Sequence, residues 1–467
     1  MIQMYDPLEK ALTINLNNHI YGSFNEIGAG QEVVSLFFKA GGASGTVAYS
    51  QSAYDMKISD SIYGKCERYV CRDRLLQMLD REYPHLEKML EHRKDETQFF
   101  AFANTMEALN YKRTNQGQGW MGLRFQHEKG AEPSEVVVHI NLHDNSPQLQ
   151  QTATGFFGVN LIYAAFYLRD NQGEFLHSLM EGLGRERVEI DMISCHGPAF
   201  KHFDNRILAL KLVKFGYTEA TIFDPSGNVI QPSEYLYKKH SFVLRGRFRP
   251  LMKINVDMLD RGLEAFKKEE DVEHKNISVL FELTLRELEK HGELNDQDFL
   301  ERVDMLSTTG NKVIISNFMR YFTIAEYLDK FNRGKKIGMV LGVERFASIF
   351  EEHWYEGMKG GILEAFGRGF GGNIKLYLYP TSNDSGEVHT LENFRPESSV
   401  RGLLNFLVDH GKVKDLQVED HKLSQMRSWQ VEKMIQLGLP GWENYIPEAV
   451  VDIIKKRKLY QQESASH

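Results

Sequence analysis

The chain has 467 residues, 42% of them hydrophobic and 26% charged, which is an ordinary composition for a globular protein with a packed core. Its 64 Asp and Glu against 56 Lys and Arg give a formal charge of -8, and this balance argues against a nucleic-acid-binding protein, which would favour a clustered basic surface. The length favours two domains.

The cysteines and the apolar segments bear on the cellular setting. The three cysteines, Cys66, Cys71 and Cys195, do not match a zinc-ribbon spacing, and a reduced, cytoplasmic protein is the simplest interpretation. The N-terminal stretch lacks the basic region and apolar core of a signal peptide. The most apolar window, residues 155–168, is shorter than the roughly 20 residues that span a bilayer, so we expect a buried helix and no membrane association.

The N-terminal part of the chain has the pattern of a mixed α/β domain. We expect a short strand at "ALTINLN" and a helix that ends at a glycine pair at "AGQEVVSLFFKAGG". An amphipathic helix over residues 68–94 precedes three strands, at "TQFFAFA", "GWMGLRFQ" and "SEVVVHINLHD". Residues 147–184 are predicted to be helical.

The middle of the chain predicts a β-α-β unit. A strand at "RVEIDMIS", a helix at "FDNRILALKLVKFG" and a strand at "EATIFDPSG" have the crossover length that a parallel pair needs. A further strand at "HSFVLRGRFRP" precedes a helix that runs into the charged segment 267–275. We place a domain boundary at that segment, with a solvated helix end as the alternative, which gives domains of 1–266 and 276–460.

In the C-terminal part, short apolar strands alternate with helices. The strands are expected at "NKVIISN", "KKIGMVLG" and "NIKLYLYP", and this alternation is typical of a parallel or mostly parallel open sheet. The predicted fold class is therefore α/β, with a mixed sheet in the N-terminal domain and a mostly parallel open sheet in the C-terminal domain.

Two glycine-rich turns could bind an anion through main-chain amides. The candidate residues are Gly22, Ser23, Gly41, Gly42, Ser44, Gly45 and Thr46. The first turn is expected between a strand and a helix, and the second directly after that helix. A helix C-cap followed by a turn is the alternative for the second. The hypothesis requires the amides between residues 22 and 46 to be free for a negatively charged ligand.

A histidine at a strand end and an acidic residue at a helix start form the candidate acid/base pair. His196 follows the strand "RVEIDMIS" and Asp204 opens the next helix, an arrangement found in many α/β sites. Asp204 as a helix cap is the alternative. His139, Asn141 and His143 share one face of a strand, which we interpret as a polar face rather than a metal site, and no metal site is predicted.

Three arginines alternate in "RGRFRP". Arg245, Arg247 and Arg249 are predicted on one side of a strand, where three like charges need an anion or several carboxylates opposite them. Binding of a phosphate and salt bridging to the protein are both open.

Over nearly its full length the chain resembles an uncharacterised bacterial protein family, through "GSFNEIGAGQE", "GGASGT", "SAYDM", "ISNF" and "GGILEAFGR". Members of this family carry the names nicotinate-nucleotide adenylyltransferase and TonB-dependent receptor. The first name implies a Gly-Ser/Thr-Phe turn followed by an H-x-G-H motif, whose histidines stabilise the transferring phosphate. Gly22, Ser23 and Phe24 match the turn, but Gly28 and Gln31 occupy the positions of the histidines. The second name implies a signal peptide and barrel-like strand alternation, which the sequence does not show.

These features together predict a cytoplasmic enzyme that binds a phosphorylated small molecule or nucleotide, with nucleotidyl or another group transfer as the reaction class. We expect a homo-oligomer, and the cofactor stays unassigned. The alternatives are a self-assembling scaffolding protein without catalysis and a small-molecule sensor, which would bind without turnover.

Overall fold

The computed structural model describes residues 6–290, 293–382, 387–418 and 421–460. The chain divides into two compact units, unit 1 (Met1–Glu219) and unit 2 (Ala220–His467). Both units are α/β, as predicted. Within the described ranges, no helix has both the length and the apolar character needed to cross a bilayer.

Unit 1 contains one mixed sheet with helices on both faces. Its strands are β1 (Ile20–Gly28), β2 (Val47–Ala53), β3 (Gln98–Glu107), β4 (Gly117–Phe125), β5 (Ser134–Leu142) and β6 (Val188–His196). Its helices are α1 (Pro7–Asn15), α2 (Glu32–Ala40), α3 (Met56–Tyr63), α4 (Arg72–Met89), α5 (Pro147–Tyr167), α6 (Gln172–Leu179) and α7 (Asn205–Phe215). The sheet order is β2-β1-β3-β4-β5-β6, in which β1 is parallel to β2 and β3 and the other pairs are antiparallel.

Side chains that alternate along the strands, and so point to the same face of the sheet, form the core of unit 1. Phe24, Phe100 and Phe102 point from β1 and β3 to the same face, where they pack with residues of α2 and α5. The predicted buried helix is confirmed as α5, which is apolar on all sides and buried along most of its length, as a core helix must be.

The predicted strand at "ALTINLN" is wrong, because this segment belongs to α1. The helix starts upstream of the quoted residues, with Pro7 in its first turn and a capping box between Asp6 and Glu9. Lys10 on this helix is buried, and its ammonium group donates to Asn160 and Ser178 at 2.8 Å. These tertiary contacts outweigh the short alternating pattern.

The predicted β-α-β unit is also wrong. Strand β6 pairs with β5 in unit 1, whereas the strand after α7 lies in the sheet of unit 2 and runs antiparallel to its neighbour there. Short apolar strands carry no information about which strand they pair with, so two consecutive strands with a helix between them were assigned to one sheet incorrectly.

Unit 2 contains a larger, mostly parallel sheet. The strands of this sheet are β7 (Ala220–Phe223), β8 (Val229–Ile230), β9 (His240–Arg245), β10 (Ile277–Thr284), β13 (Lys312–Ser316), β14 (Ile337–Gly342), β15 (Ile374–Tyr379) and β18 (Val413–Asp415). Two separate antiparallel pairs consist of β11 (Glu289–Lys290) with β12 (Glu293–Leu294), and of β16 (Thr381–Ser382) with β17 (Val388–His389). The helices of unit 2 are α8 (Pro232–Tyr235), α9 (Lys253–Lys267), α10 (Leu285–Leu288), α11 (Asp296–Ser307), α12 (Tyr321–Asn332), α13 (Val343–Ser348), α14 (Gly361–Phe370), α15 (Arg401–Asp409), α16 (Ser428–Gln436) and α17 (Glu448–Arg457).

The strand order of this sheet changes direction at one point. The order is β18-β15-β14-β9-β10-β13-β7-β8, and the six strands from β18 to β13 are parallel. The chain runs outward from β9 to β10 and β13, then returns to the other side of β9 at β14. This is the doubly wound order, and its direction reverses between β9 and β14, the position where open sheets of this type bind ligands.

The expected domain boundary at 267–275 does not coincide with the division between the units. That segment ends α9 and joins β9 to β10, which are adjacent parallel strands of one sheet. A charged segment at the end of a helix is solvated for the same reason that a linker is, so its composition does not distinguish the two.

Candidate functional site

A cleft of about 340 Å³ lies beyond the carboxyl ends of the parallel strands of unit 2. Arg245 ends β9, Thr284 ends β10, and the segment after β13 and the first turn of α13 after β14 complete the walls. The side chains that give the cleft its chemistry are four arginines, one glutamate and four aromatic residues: Arg245, Arg286, Arg320, Arg345, Glu287, Phe318, Tyr321, Trp354 and Tyr355.

Arg245 is held in the floor of the cleft by a fully buried carboxylate. Its Nε and Nη2 donate to the two carboxylate oxygens of Glu282 at 2.7 and 2.8 Å, and Ser316 Oγ donates to Glu282 at 2.7 Å. The guanidinium also lies 4.6 Å from the centre of the Tyr321 ring. Burial lowers the pKa of Arg245, but Glu282 outweighs burial and raises it, so the guanidinium stays charged.

The other three arginines lie at the rim. Arg286 stacks over the Trp354 ring at 4.7 Å, and Arg320 Nε donates to the Trp354 carbonyl at 2.8 Å. Arg345 pairs with Glu287 at 3.0 Å, but 61% of its side chain is exposed. Within the described part of the chain, neither Arg286 nor Arg320 forms an ion pair with a carboxylate.

The cleft therefore has an excess of positive charge. Four guanidinium groups face two carboxylates, Glu287 at the rim and Glu282 beneath the floor. Aromatic walls lower the local dielectric constant, which strengthens the attraction of such a site for an anion. Planar guanidinium groups match phosphate and carboxylate oxygens in geometry.

The first glycine-rich turn has a different place in the structure from the one predicted. Gly22 and Ser23 do not follow a strand but lie inside β1, buried between β2 and β3. The Gly22 amide donates to the Thr46 carbonyl at 2.8 Å. A Cβ atom at Gly22 would be 2.2 Å from the Phe100 carbonyl oxygen, so glycine allows close strand packing here.

The second turn comprises the end of α2 and the approach to β2. Its candidate residues are Gly41, Gly42, Ser44, Gly45 and Thr46. The amides of Gly41, Gly45 and Thr46 each donate to a carbonyl three residues earlier in the chain. Gly41 and Gly42 have φ angles of 85° and 73°, which glycine adopts at the end of a helix. This is the helix C-cap and turn that the sequence left open as the alternative, and these amides already have acceptors.

The two acid/base candidates both lie in unit 1. His196 is the exposed last residue of β6, and Asp204 precedes α7, where it accepts a hydrogen bond from the Arg206 amide at 2.9 Å. Burial raises the pKa of Asp204, but hydrogen bonds and an ion pair from Arg206 outweigh burial and hold this pKa below its usual range. Asp204 thus caps the helix as an ionised carboxylate. Among the described residues, no hydrogen bond or ion pair joins His196 to Asp204.

The predicted row of three arginines on one strand is not formed, because β9 ends at Arg245. Arg249 pairs with Asp298 and Glu432, both at 2.9 Å, and Arg247 lies 3.6 Å from Glu432. Of the three, only Arg245 lines the cleft. Salt bridging within the protein, one of the two open interpretations, accounts for the other two.

Sequence reasoning did not select the rim arginines. Arg286, Arg320 and Arg345 follow the ends of β10, β13 and β14 by two to four residues. The signal was present, since the predicted strands end close to them, but the pattern alone does not show that these strand ends are neighbours in one sheet. His139, on the polar strand face that the sequence predicts, is buried in β5, and its two ring nitrogens contact Asp191 at 2.6 Å and Gln118 at 2.8 Å.

Comparisons with known proteins identify no family. No family model matches the chain, and no curated protein matches it. The structure of the competence/damage inducible protein CihA from Agrobacterium tumefaciens is 16% identical, covering 35% of this chain and 98% of that chain, with a TM-score of 0.24. A Vibrio parahaemolyticus protein named as a putative nicotinate-nucleotide adenylyltransferase is 12% identical, covering 48% and 96%, with a TM-score of 0.26. Neither likeness is close enough to support an argument about activity.

Proposed function

We propose that unit 2 binds the phosphate groups of a nucleotide or another phosphorylated small molecule in the arginine cleft. The observation that carries this proposal is the position of Arg286 and Arg320 at the carboxyl edge of a doubly wound sheet, with no carboxylate paired to either among the described residues. Two charged donors that the protein itself does not neutralise, next to a place where such sheets bind ligands, favour an anionic ligand.

Nucleotidyl or another group transfer is the reaction class that this arrangement supports best. Negative charge that develops on a transferring phosphoryl group is stabilised by donors fixed before the reaction, and Arg245 is fixed by Glu282 at the floor. Arg286, Arg320 and Arg345 would hold the phosphate oxygens from the rim, while Trp354 and Tyr321 supply ring surface for the rest of the ligand.

Titration of the full chain with ATP and with inorganic pyrophosphate tests the proposal. We expect Arg320→Gln and Arg286→Gln each to weaken binding by about tenfold or more, because a hydrogen bond to a charged group is worth roughly 1.5–3 kcal/mol. Arg457→Gln is the matched control, since Arg457 is an exposed arginine on α17 that pairs with Asp304 and does not line the cleft. Unchanged affinity in both cleft variants, or no binding by the unmodified protein, contradicts the proposal.

Turnover distinguishes an enzyme from a sensor that uses the same cleft. Release of pyrophosphate or phosphate from the bound nucleotide, lost in Arg245→Gln, supports group transfer, whereas tight binding without release supports a sensor. His196 and Asp204 stay a separate proposal for acid/base chemistry. Both residues lie in unit 1, so this proposal is independent of the cleft. It requires His196→Ala to change the pH profile of a reaction in unit 1 while the affinity of unit 2 for ATP and pyrophosphate stays the same.

A further inference from the structure

Two free thiols lie side by side in unit 1. The Sγ atoms of Cys66 and Cys71 are 3.7 Å apart, and both thiols donate to the carbonyl oxygen of Arg68, at 3.0 and 2.9 Å. Cys71 is buried directly before α4, whereas Cys66 is partly exposed in the loop that precedes it. A shared acceptor thus holds the two sulfur atoms together without a covalent bond.

The surrounding contacts keep this loop in place with the two sulfur atoms close to bonding distance. Residues 64–71 form neither helix nor strand. The Tyr69 hydroxyl donates to the Asp60 carboxylate at 3.1 Å, and the Tyr69 carbonyl accepts a hydrogen bond from Thr105 Oγ1, so the segment between the cysteines is anchored. A disulfide has an S–S distance of about 2.05 Å, and the sulfur atoms need to close by less than about 2 Å to reach it.

We propose that Cys66 and Cys71 form a reversible disulfide by exchange with a low-molecular-weight disulfide such as oxidised glutathione. The thiolate of Cys66, the accessible partner, attacks one sulfur of oxidised glutathione; the glutathione S–S bond breaks, a mixed disulfide forms and one glutathione leaves as its thiolate. The Cys71 thiolate then attacks the Cys66 sulfur and expels the second glutathione. The two cysteines lose two protons and two electrons, and the electrons reduce the glutathione disulfide.

Oxidation would change the loop more than the helix. The sulfur of Cys71 accepts a hydrogen bond from the Arg74 amide at 3.4 Å at the start of α4, and a disulfide sulfur can still accept it. The Arg68 carbonyl, in contrast, loses both of its thiol donors. The loop between the cysteines therefore becomes covalently fixed while α4 keeps its cap.

The experiment equilibrates the native full chain in a buffer of reduced and oxidised glutathione, traps free thiols and maps tryptic peptides. Trypsin cleaves after Lys65, Arg68 and Arg72, which puts the two cysteines in separate peptides, "CER" and "YVCR". A native disulfide gives these peptides linked, about 2 Da lighter than the sum of the reduced pair. Linked peptides from the native protein are the expected result. Their absence, or their appearance only in denaturing urea, overturns the proposal.

Two serine variants provide matched controls, because a serine hydroxyl can still donate to the Arg68 carbonyl and, in place of Cys71, can still cap α4. In Cys71→Ser we expect Cys66 to accumulate the mixed disulfide at least about tenfold more than in the unmodified protein, where the neighbouring thiol resolves it. Equal accumulation in the two proteins overturns the proposal. Cys66→Ser should stay reduced at Cys71, and buried Cys195 serves as the internal reference for a folded protein.

Discussion

The glycine-rich segment of unit 1 and the strand ends of unit 2 differ in whether their polar groups already have partners. In unit 1, the glycine-rich segment beside β1 and β2 has its amides paired to carbonyls of the chain at Gly22, Gly41, Gly45 and Thr46. In unit 2, side chains at the strand ends include guanidinium groups with no paired carboxylate among the described residues. The closely spaced glycines of unit 1 therefore serve backbone conformation and close strand packing. A binding site is better indicated by charged side chains that lie together without a neutralising partner among the described residues.

The same contrast applies to two buried carboxyl groups. Glu282, at the end of β10 in unit 2, is held by Arg245 and Ser316. Glu26, near the end of β1 in unit 1, accepts a hydrogen bond from the Val34 amide, but its Oε1 has no hydrogen-bond partner among the described residues. One carboxylate is compensated by a cation and the other is not, so their substitutions should have opposite effects.

The largest effect is expected from Glu282→Ala. This change leaves the Arg245 guanidinium, of which only 9% of the side chain is exposed, without its counter-ion. We expect the free energy of unfolding to fall by about 3–5 kcal/mol, the usual cost of breaking a buried pair. Urea denaturation of the full chain measures this. Glu326→Ala, which removes an exposed pair with Arg368, should cost less than about 1 kcal/mol. Similar losses of stability in the two variants would contradict the prediction that the buried pair contributes more than the exposed one.

Glu26→Gln should instead change how stability depends on pH. Burial raises the pKa of Glu26 from 4.5 to about 8, against a smaller lowering by the Val34 amide. Because the folded pKa lies above the unfolded one, the contribution of this group is fully present below about pH 4.5 and is lost as pH rises through about 8. Between about pH 5 and pH 9 the loss is on the order of 4 kcal/mol.

The measurement is the free energy of unfolding of both proteins between about pH 5 and pH 9, which brackets the shifted pKa. Glutamine cannot ionise, so the variant should lack this decline and be the more stable protein at high pH. Glu32→Gln, at a partly exposed carboxylate paired with Lys39, is the control and should keep the decline. If the unfolding free energies of Glu26→Gln and the unmodified protein change with pH in parallel, the Glu26 carboxylate has a compensating partner in the folded protein.

Gly42→Ala tests the backbone role of the glycine-rich turn. Gly42 has a φ of 73°, and a side chain in that left-handed conformation costs about 1 kcal/mol. We expect lower stability with unchanged affinity for ATP and pyrophosphate. Gly372→Ala, at a glycine with open space around it, should change neither. A loss of ligand affinity in Gly42→Ala would indicate that the anion binds at the glycine-rich turn of unit 1.

The local sequence patterns predicted the structural features that depend on residues near one another in the chain. The apolar run of residues 155–168 indicated a buried helix because α5 is apolar on all sides, and the alternation of strands and helices indicated the parallel sheet of unit 2. These patterns do not show which strands pair with each other, and the predicted pairing of β6 with β7 in one sheet is wrong for this reason. The rim arginines were missed for the same reason, since they become a site only through the strand order.

The smallest effect is expected from Glu287→Gln at the rim of the cleft. Glu287 pairs with Arg345, whose side chain is largely exposed, so the loss of stability should be within about 0.5 kcal/mol. Removing this carboxylate frees Arg345 and takes one negative charge out of the cleft, and the affinity for pyrophosphate should rise about two- to fivefold, less so at high salt. Titrations at low and high ionic strength measure both effects. A fall in affinity would mean that Glu287 orients Arg345 toward the ligand, and the cleft would then depend on that pair rather than on its excess of positive charge.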